Sequence, residues 1–141
     1  MSPLKTEIQG KIATLTLNRP AQMNTIDLGM AKALYEASLS FTEHSTVRAL
    51  IITGAGEKAF CAGGDLAAFD QNGEAVGEHL HEVTHYLHGA ISRFARMSLP
   101  VITAVNGVTA GGGLAFLGFP QLVLASESAR FVSAYTKAGL S

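Results

Sequence analysis

The chain has 141 residues, ten Lys and Arg against eleven Asp and Glu, and a formal net charge of −1. That length bounds it to one domain, and that charge leaves no basic field for nucleic acid. Hydrophobic residues make up 48% of the chain and charged residues only 15%, low against the usual quarter, so part of its apolar surface is expected to be hidden against a partner subunit or against more of the same polypeptide.

Leu4 to Leu17 reads as two short strands with a turn near Gln9-Gly10, because Ile12, Thr14 and Thr16 alternate with Ala13, Leu15 and Leu17. Pro20 stops the second strand. Asp27 is a candidate N-cap for a helix running to about His44, with Leu34, Tyr35, Ser38 and Phe41 on one face. Val47 to Thr53 reads as a buried strand ended by Gly54 and Gly56.

After Leu66 the pattern is lost through Gln71-Asn72-Gly73-Glu74 and Gly77, which predicts a loop. A helix is predicted from about Glu78 to Arg96, with Leu80, Val83, Leu87, Ile91 and Phe94 as its apolar stripe. A strand follows at Val101 to Val105, then a short helix at Gly112 to Gly118, a strand at Gln121 to Ala125, and one more at Ala129 to Val132. Strands alternating with helices argue for an α/β class.

No side chain from Met97 to Ser126 is charged, long enough to raise a transmembrane helix. Pro100, Asn106-Gly107, the glycine triplet Gly111-Gly112-Gly113 and Pro120-Gln121 break it into turns that lipid would leave unpaired, so no membrane span is expected. Cys61 is the only cysteine. It excludes an internal disulfide and, with no signal-peptide pattern at the start, points to a cytoplasmic setting.

The glycines carry the chemistry. Gly111-Gly112-Gly113 follows the β-branched run Val101 to Val105, and ordering three successive glycines costs backbone entropy that close approach to a ligand can offset. A helix start there offers amides with no internal partner, suited to an anionic group or a developing oxyanion. A second turn, Cys61-Ala62-Gly63-Gly64-Asp65-Leu66, also follows a strand-like run. Tight strand-to-helix packing alone would account for either turn taken singly.

Three segments in register extend the pattern: Asn18-Arg19-Pro20 with Asn24, Ala59-Phe60-Cys61-Ala62-Gly63-Gly64-Asp65-Leu66, and Ala104-Val105-Asn106-Gly107 with Gly111-Gly112-Gly113. Together they resemble the enoyl-CoA hydratase/isomerase, or crotonase, superfamily, over about Ile12 to Ser141. The resemblance implies a spiral of ββα units, assembled as a trimer or a dimer of trimers. It implies an acyl-CoA thioester as substrate, with coenzyme A brought in by the substrate and no permanently bound cofactor. It also implies that Gly64 and Gly112 donate the oxyanion-hole amides. The coenzyme A moiety is expected along Gln22, Met23, Thr25, Ile26, Ala62, Asp65 and Leu66. Asp65 is expected to pin its loop, and Cys61 to be a packed side chain, since nothing adjacent would depress its pKa.

The chain departs from the hydratase pattern. Aligned on the glycine triplet, the two glutamates that activate water in the family's hydratases fall on Ala115 and Tyr135. Neither alanine nor a phenol of ordinary pKa about 10 is a general base near neutral pH. An isomerase needing a single carboxylate is the better expectation. In the resemblance that carboxylate often follows an Ala-Gly-Leu segment such as Ala138-Gly139-Leu140, just beyond Ser141. Family members run to about twice this length, so the chain reads as the N-terminal part, residues 1–141, of one crotonase-like domain. Its tail is most like the branch that isomerises enoyl-CoA double bonds or ring-epoxide CoA thioesters of aromatic degradation.

Other readings remain. An acyl-CoA-binding or oligomerising fragment without turnover needs no base within the chain. His81-Glu82-Val83-Thr84-His85 has the spacing of a zinc-binding HExxH helix, but no third ligand presents itself and His88 stands where the metzincin extension needs glycine, so no metal is expected. Gly54-Ala55-Gly56 hints at a dinucleotide turn but lacks the acidic residue that should follow.

Overall fold

The computed structural model describes residues 1–43 and 46–135. The first two strands, β1 (Leu4–Gln9) and β2 (Ile12–Leu17), pair antiparallel around Gly10, whose φ of +58° meets the demand of the tight turn. Pro20 does more than end β2, since it opens a short 3-10 helix, Pro20–Gln22, that the sequence reading lacks. Helix α1 (Leu28–Glu43) begins as expected: the Asp27 side chain accepts from the Met30 amide at 2.8 Å. The expected end at His44 lies outside the described residues.

The chain then repeats one step. Strand β3 (Ala49–Gly54) is followed by β4 (Ala59–Cys61), β5 (Val101–Val105) by β6 (Val108–Ala110), and β7 (Leu122–Ala125) by β8 (Arg130–Val132). The first member of each pair joins a five-stranded sheet ordered β1-β2-β3-β5-β7, and the second joins a three-stranded sheet ordered β4-β6-β8. From β2 onward every pairing is parallel. Asn106 stitches two steps together, accepting from the Gly54 amide at 3.1 Å and donating to the Gly56 carbonyl at 2.7 Å.

One expectation between the first and second steps needs correction. The segment read as a loop is helical: α2 (Leu66–Gln71), capped by the Asp65 side chain on the Ala68 amide, leads through a 3-10 turn at Gly73–Ala75 into α3 (Val76–Ala95). Alanines and a capping carboxylate sustain these turns without a long apolar period. The glycine-triplet helix is 3-10 in form and spans Gly111–Leu117.

The core lies between the large sheet and the helices. Leu15, Leu17, Leu50, Ile52, Val101 and Val105 are fully or almost fully buried, alternating along β2, β3 and β5 as a half-covered sheet requires. Met30, Leu34 and Phe41 of α1 and Val83, Leu87, Ala90 and Phe94 of α3 join the same cluster. Each such side chain contributes roughly 1.5–3 kcal/mol when fully buried. The last step of the spiral differs. Leu122, Val123, Leu124, Phe131 and Val132 are all exposed, Leu124 by 56%, on strands that form the free edges of the two sheets. The uncovered apolar surface that the composition implies is concentrated here. Among the described residues no helix is long and apolar enough to cross a membrane.

Candidate active site

Parallel pairing of β4 with β6 makes two chain ends emerge side by side. Ala62-Gly63-Gly64 leaves the end of β4, and Gly111-Gly112-Gly113 leaves the end of β6. The two glycine elbows are in contact through bare backbone. A Cβ on Gly63 would lie 2.9 Å from the Ala110 carbonyl oxygen and 3.3 Å from the Gly112 nitrogen, and one on Gly112 would lie 3.9 Å from the Gly64 nitrogen. Gly63 also has φ +99° and Gly111 φ +49°, conformations that L side chains resist. A Cβ on Gly113 would run into the Cys61 carbonyl.

The hydrogen-bond pattern leaves particular donors unspent. Ile26 and Gly64 form an isolated parallel bridge in which the Ile26 amide donates to Gly63 (2.8 Å) and the Asp65 amide donates to Ile26 (3.1 Å). That bridge passes over the Gly64 amide, which alternation turns the other way. Gly112 is the second residue of its 3-10 helix, where amides have no acceptor within the helix. Among the described residues neither amide donates to a protein acceptor. Both residues line a cavity of about 340 Å³.

The first elbow is held by polar side chains. Arg19 donates to the Thr25 carbonyl at 2.8 Å and to the Asp65 carboxylate at 2.9 Å, and stands 3.2 Å from the Asp27 carboxylate. Asn24, fully buried with φ +55°, accepts from the Arg19 amide and donates to the Ala55 and Ala59 carbonyls, each at 2.9 Å. Burial would raise the Asp65 pKa, but the Ala68 amide and the Arg19 guanidinium outweigh it and hold the carboxyl below its ordinary value. Asp65 is therefore an ionised clamp, as the sequence reading expects of it. Cys61 is fully buried, and that burial pushes its thiol up to about 11 despite a hydrogen bond from Gly63. It is a packed side chain, poorly suited to act as a nucleophile.

Of the residues expected to meet coenzyme A, Ile26, Ala62 and Leu66 line the cavity. Asp65 is turned to Arg19 instead, and Gln22, Met23 and Thr25 lie outside the lining on the adjoining segment, where Met23 accepts from the Ala62 amide at 3.0 Å. Tyr135 reaches the cavity and Ala115 does not. The wall that the sequence reading missed is supplied by Phe69 of α2 and by Leu80, Val83, Thr84, Leu87 and His88 of α3. The apolar stripe along α3 thus serves both core and cavity, with Val83 and Leu87 belonging to both. Its spacing could not show the second role, since one stripe serves either purpose.

The HExxH residues take other partners. Glu82 pairs with Lys32 at 2.9 Å and the His85 ring stands edge-on to Tyr86, while no group of three or more metal-ligating side chains occurs among the described residues. Gly54 in the dinucleotide-like turn is packed against the Phe60 main chain, 2.6 Å from where its Cβ would lie to the carbonyl oxygen.

Comparison with known proteins bears on the same segments. The chain is 36% identical over 143 residues to 1,2-epoxyphenylacetyl-CoA isomerase of Escherichia coli (strain K12), matching 99% of this chain and 53% of that protein. It is 36% identical over 135 residues to the mitochondrial 3-hydroxyisobutyryl-CoA hydrolase of Danio rerio, covering 93% of this chain and 34% of the relative. The crystal structure of an enoyl-CoA hydratase from Polaromonas sp. JS666 superposes with a TM-score of 0.90 at 32% identity, over 98% of this chain and 53% of the other. The chain thus spans about half or less of the length of these proteins. The enoyl-CoA hydratase/isomerase family model matches residues 12–141, and the chain belongs to that family, with its crotonase α/β fold.

Proposed function

We propose that the chain forms the N-terminal part of a single-domain enzyme that binds an acyl-CoA thioester and stabilises its enolate, moving a double bond or opening a strained ring beside the carbonyl. The observation that carries this reading is the pair of unspent amides, Gly64 and Gly112, at adjoining elbows on one cavity. Negative charge grows on the thioester oxygen as the enolate forms, so donors fixed at that point lower the barrier more than they tighten substrate binding. The coenzyme A moiety belongs along Gln22 to Ile26 and Ala62 to Leu66, and it arrives with the substrate.

Isomerisation is favoured over two-glutamate hydration because Ala115 and Tyr135 stand at the two glutamate positions. The match to a 1,2-epoxyphenylacetyl-CoA isomerase supports the same side. The proton-transferring carboxylate is assigned beyond Ser141, and a cytoplasmic trimer or hexamer is the assembly proposed. For the 141 residues alone, acyl-CoA binding without turnover is the second reading, because no described carboxylate lines the cavity. The test is Gly112→Pro in the full-length gene product. Deleting that donor should lower kcat by on the order of 10²–10³-fold with the fold retained by circular dichroism. Unchanged turnover would rule the mechanism out.

A further inference from the structure

We infer that Asn72-Gly73 is a site of spontaneous covalent modification, where the asparagine loses ammonia and becomes aspartate or isoaspartate. The fold shields the chain's other Asn-Gly pair, Asn106-Gly107, from the same reaction. In the first step the Gly73 amide nitrogen attacks the Asn72 side-chain carbonyl carbon. The new N–C bond closes a succinimide ring, the Cγ–Nδ2 bond breaks, and ammonia leaves with the proton that Gly73 gives up. Water then opens the ring at either carbonyl. Opening at the side-chain carbonyl leaves aspartate, and opening at the main-chain carbonyl leaves isoaspartate, with one extra methylene in the main chain. Glycine in the following position favours closure, because no side chain covers its amide. Asn18 and Asn24 are buried, and Arg19 and Thr25 follow them.

The two Asn-Gly pairs share their chemistry and differ in their surroundings. Asn106 is tied at both ends of its side-chain amide, accepting from the Gly54 amide at 3.1 Å and donating to the Gly56 carbonyl at 2.7 Å. Gly107 is buried, and a Cβ on it would lie 2.6 Å from the Lys58 carbonyl oxygen. The next residue, Val108, donates to that same oxygen at 3.1 Å. Ring closure at Asn106 therefore requires both side-chain bonds to break and the β5–β6 joint to shift.

Asn72 sits at the joint between α2 and the 3-10 turn Gly73–Ala75. One bond holds its side chain, from Nδ2 to the Ala68 carbonyl at 2.6 Å. Gly73 is exposed, and nothing lies within 4 Å of where its Cβ would be. It opens its 3-10 turn, where an amide has no acceptor within the helix. Closure must rotate the peptide from the Asn72 ψ of −8°, and neither α2 nor the turn contains a buried residue to oppose that rotation. The joint also matters to the cavity, since α2 supplies Phe69 and α3 supplies Leu80 and Leu87 to its wall. Either product adds a carboxylate between Asp70 and Glu74, and isoaspartate lengthens the chain that links the two helices.

The experiment is peptide mapping by mass spectrometry of the full-length gene product, held at mildly alkaline pH either folded or in urea. The peptide containing Asn72 should gain about 1 Da as ammonia is exchanged for water, and its fragmentation should reveal isoaspartate. In the folded protein this gain should be at least about tenfold faster than at Asn106, which must break one more hydrogen bond and unpack buried backbone. In urea the difference should largely vanish. Equal rates in the folded protein, an earlier change at Asn106, or an Asn72 peptide that stays unmodified would each overturn the inference. So would a gap of the same size in urea, since it would then belong to the flanking residues and not to the fold.

Discussion

The two glycine elbows face one cavity but are built by different means. The first, Gly63-Gly64, is held by a polar clamp: Arg19, Asn24, Thr25 and Asp65 tie it to the segment before α1 through hydrogen bonds of 2.8–3.3 Å. The second, Gly111-Gly112-Gly113, has no such side chains. It is held by shape, with Gly113 lying against the Cys61 main chain and Gly111 in a left-handed conformation. A clamp of charges can be loosened by pH or by removing one partner. A close approach of backbones can be broken only by adding atoms.

The largest effect is therefore expected at the second elbow. Gly113→Ala drives a methyl group into the Cys61 carbonyl, which must displace a strand end and should cost about 3 kcal/mol of unfolding free energy, the upper end of ordinary overpacking. Urea denaturation measures it. A loss below about 1 kcal/mol would mean that the elbow has more room than its contacts imply.

At the first elbow the expected loss is smaller. Arg19→Met leaves the Asp65 carboxylate, whose side chain is 12% exposed, without its guanidinium, at a cost on the order of 2 kcal/mol. The same variant should change the acid limb of stability. In the native chain the folded Asp65 pKa lies below its ordinary value of 3.8, so the carboxylate's contribution is complete above that pH and is lost as pH falls through the lower folded value. Arg19→Met should flatten that limb. A native-like slope between about pH 5 and pH 2 would assign the acid sensitivity to other carboxylates.

The smallest effect concerns Cys61, the last residue of β4, whose main chain lies against Gly113. With its thiol pushed up to about 11 and fully buried, it should resist alkylation by iodoacetamide at neutral pH until the protein unfolds. Prompt labelling of the native chain would show that its contact with Gly113 opens readily.

The same comparison explains what could be read from the sequence. Glycine, proline and asparagine act on their own backbone, so both elbows, the Asn18-Arg19-Pro20 segment and the Asp27 cap were legible locally. Long alternating strands and the 20-residue α3 were legible by period. Strands β4 and β6 were not, because three residues carry no period and exist by pairing with each other. The Arg19–Asp65 contact spans 46 positions, and nothing local announces it. Helix α2 is not legible locally, because a carboxylate at Asp65 fits a loop as well as a helix cap. The exposed strands β7 and β8 show the converse case: their composition is that of buried strands, but neither is covered among the described residues.

The most direct measurement follows the two amide protons themselves. In the full-length protein labelled with ¹⁵N, the Gly64 and Gly112 amide resonances should move downfield together on addition of a ketone analogue of acyl-CoA, as both begin to donate to one carbonyl oxygen. If the ligand binds while either resonance stays in place, the two elbows do not share that oxygen, and the account of the site is wrong.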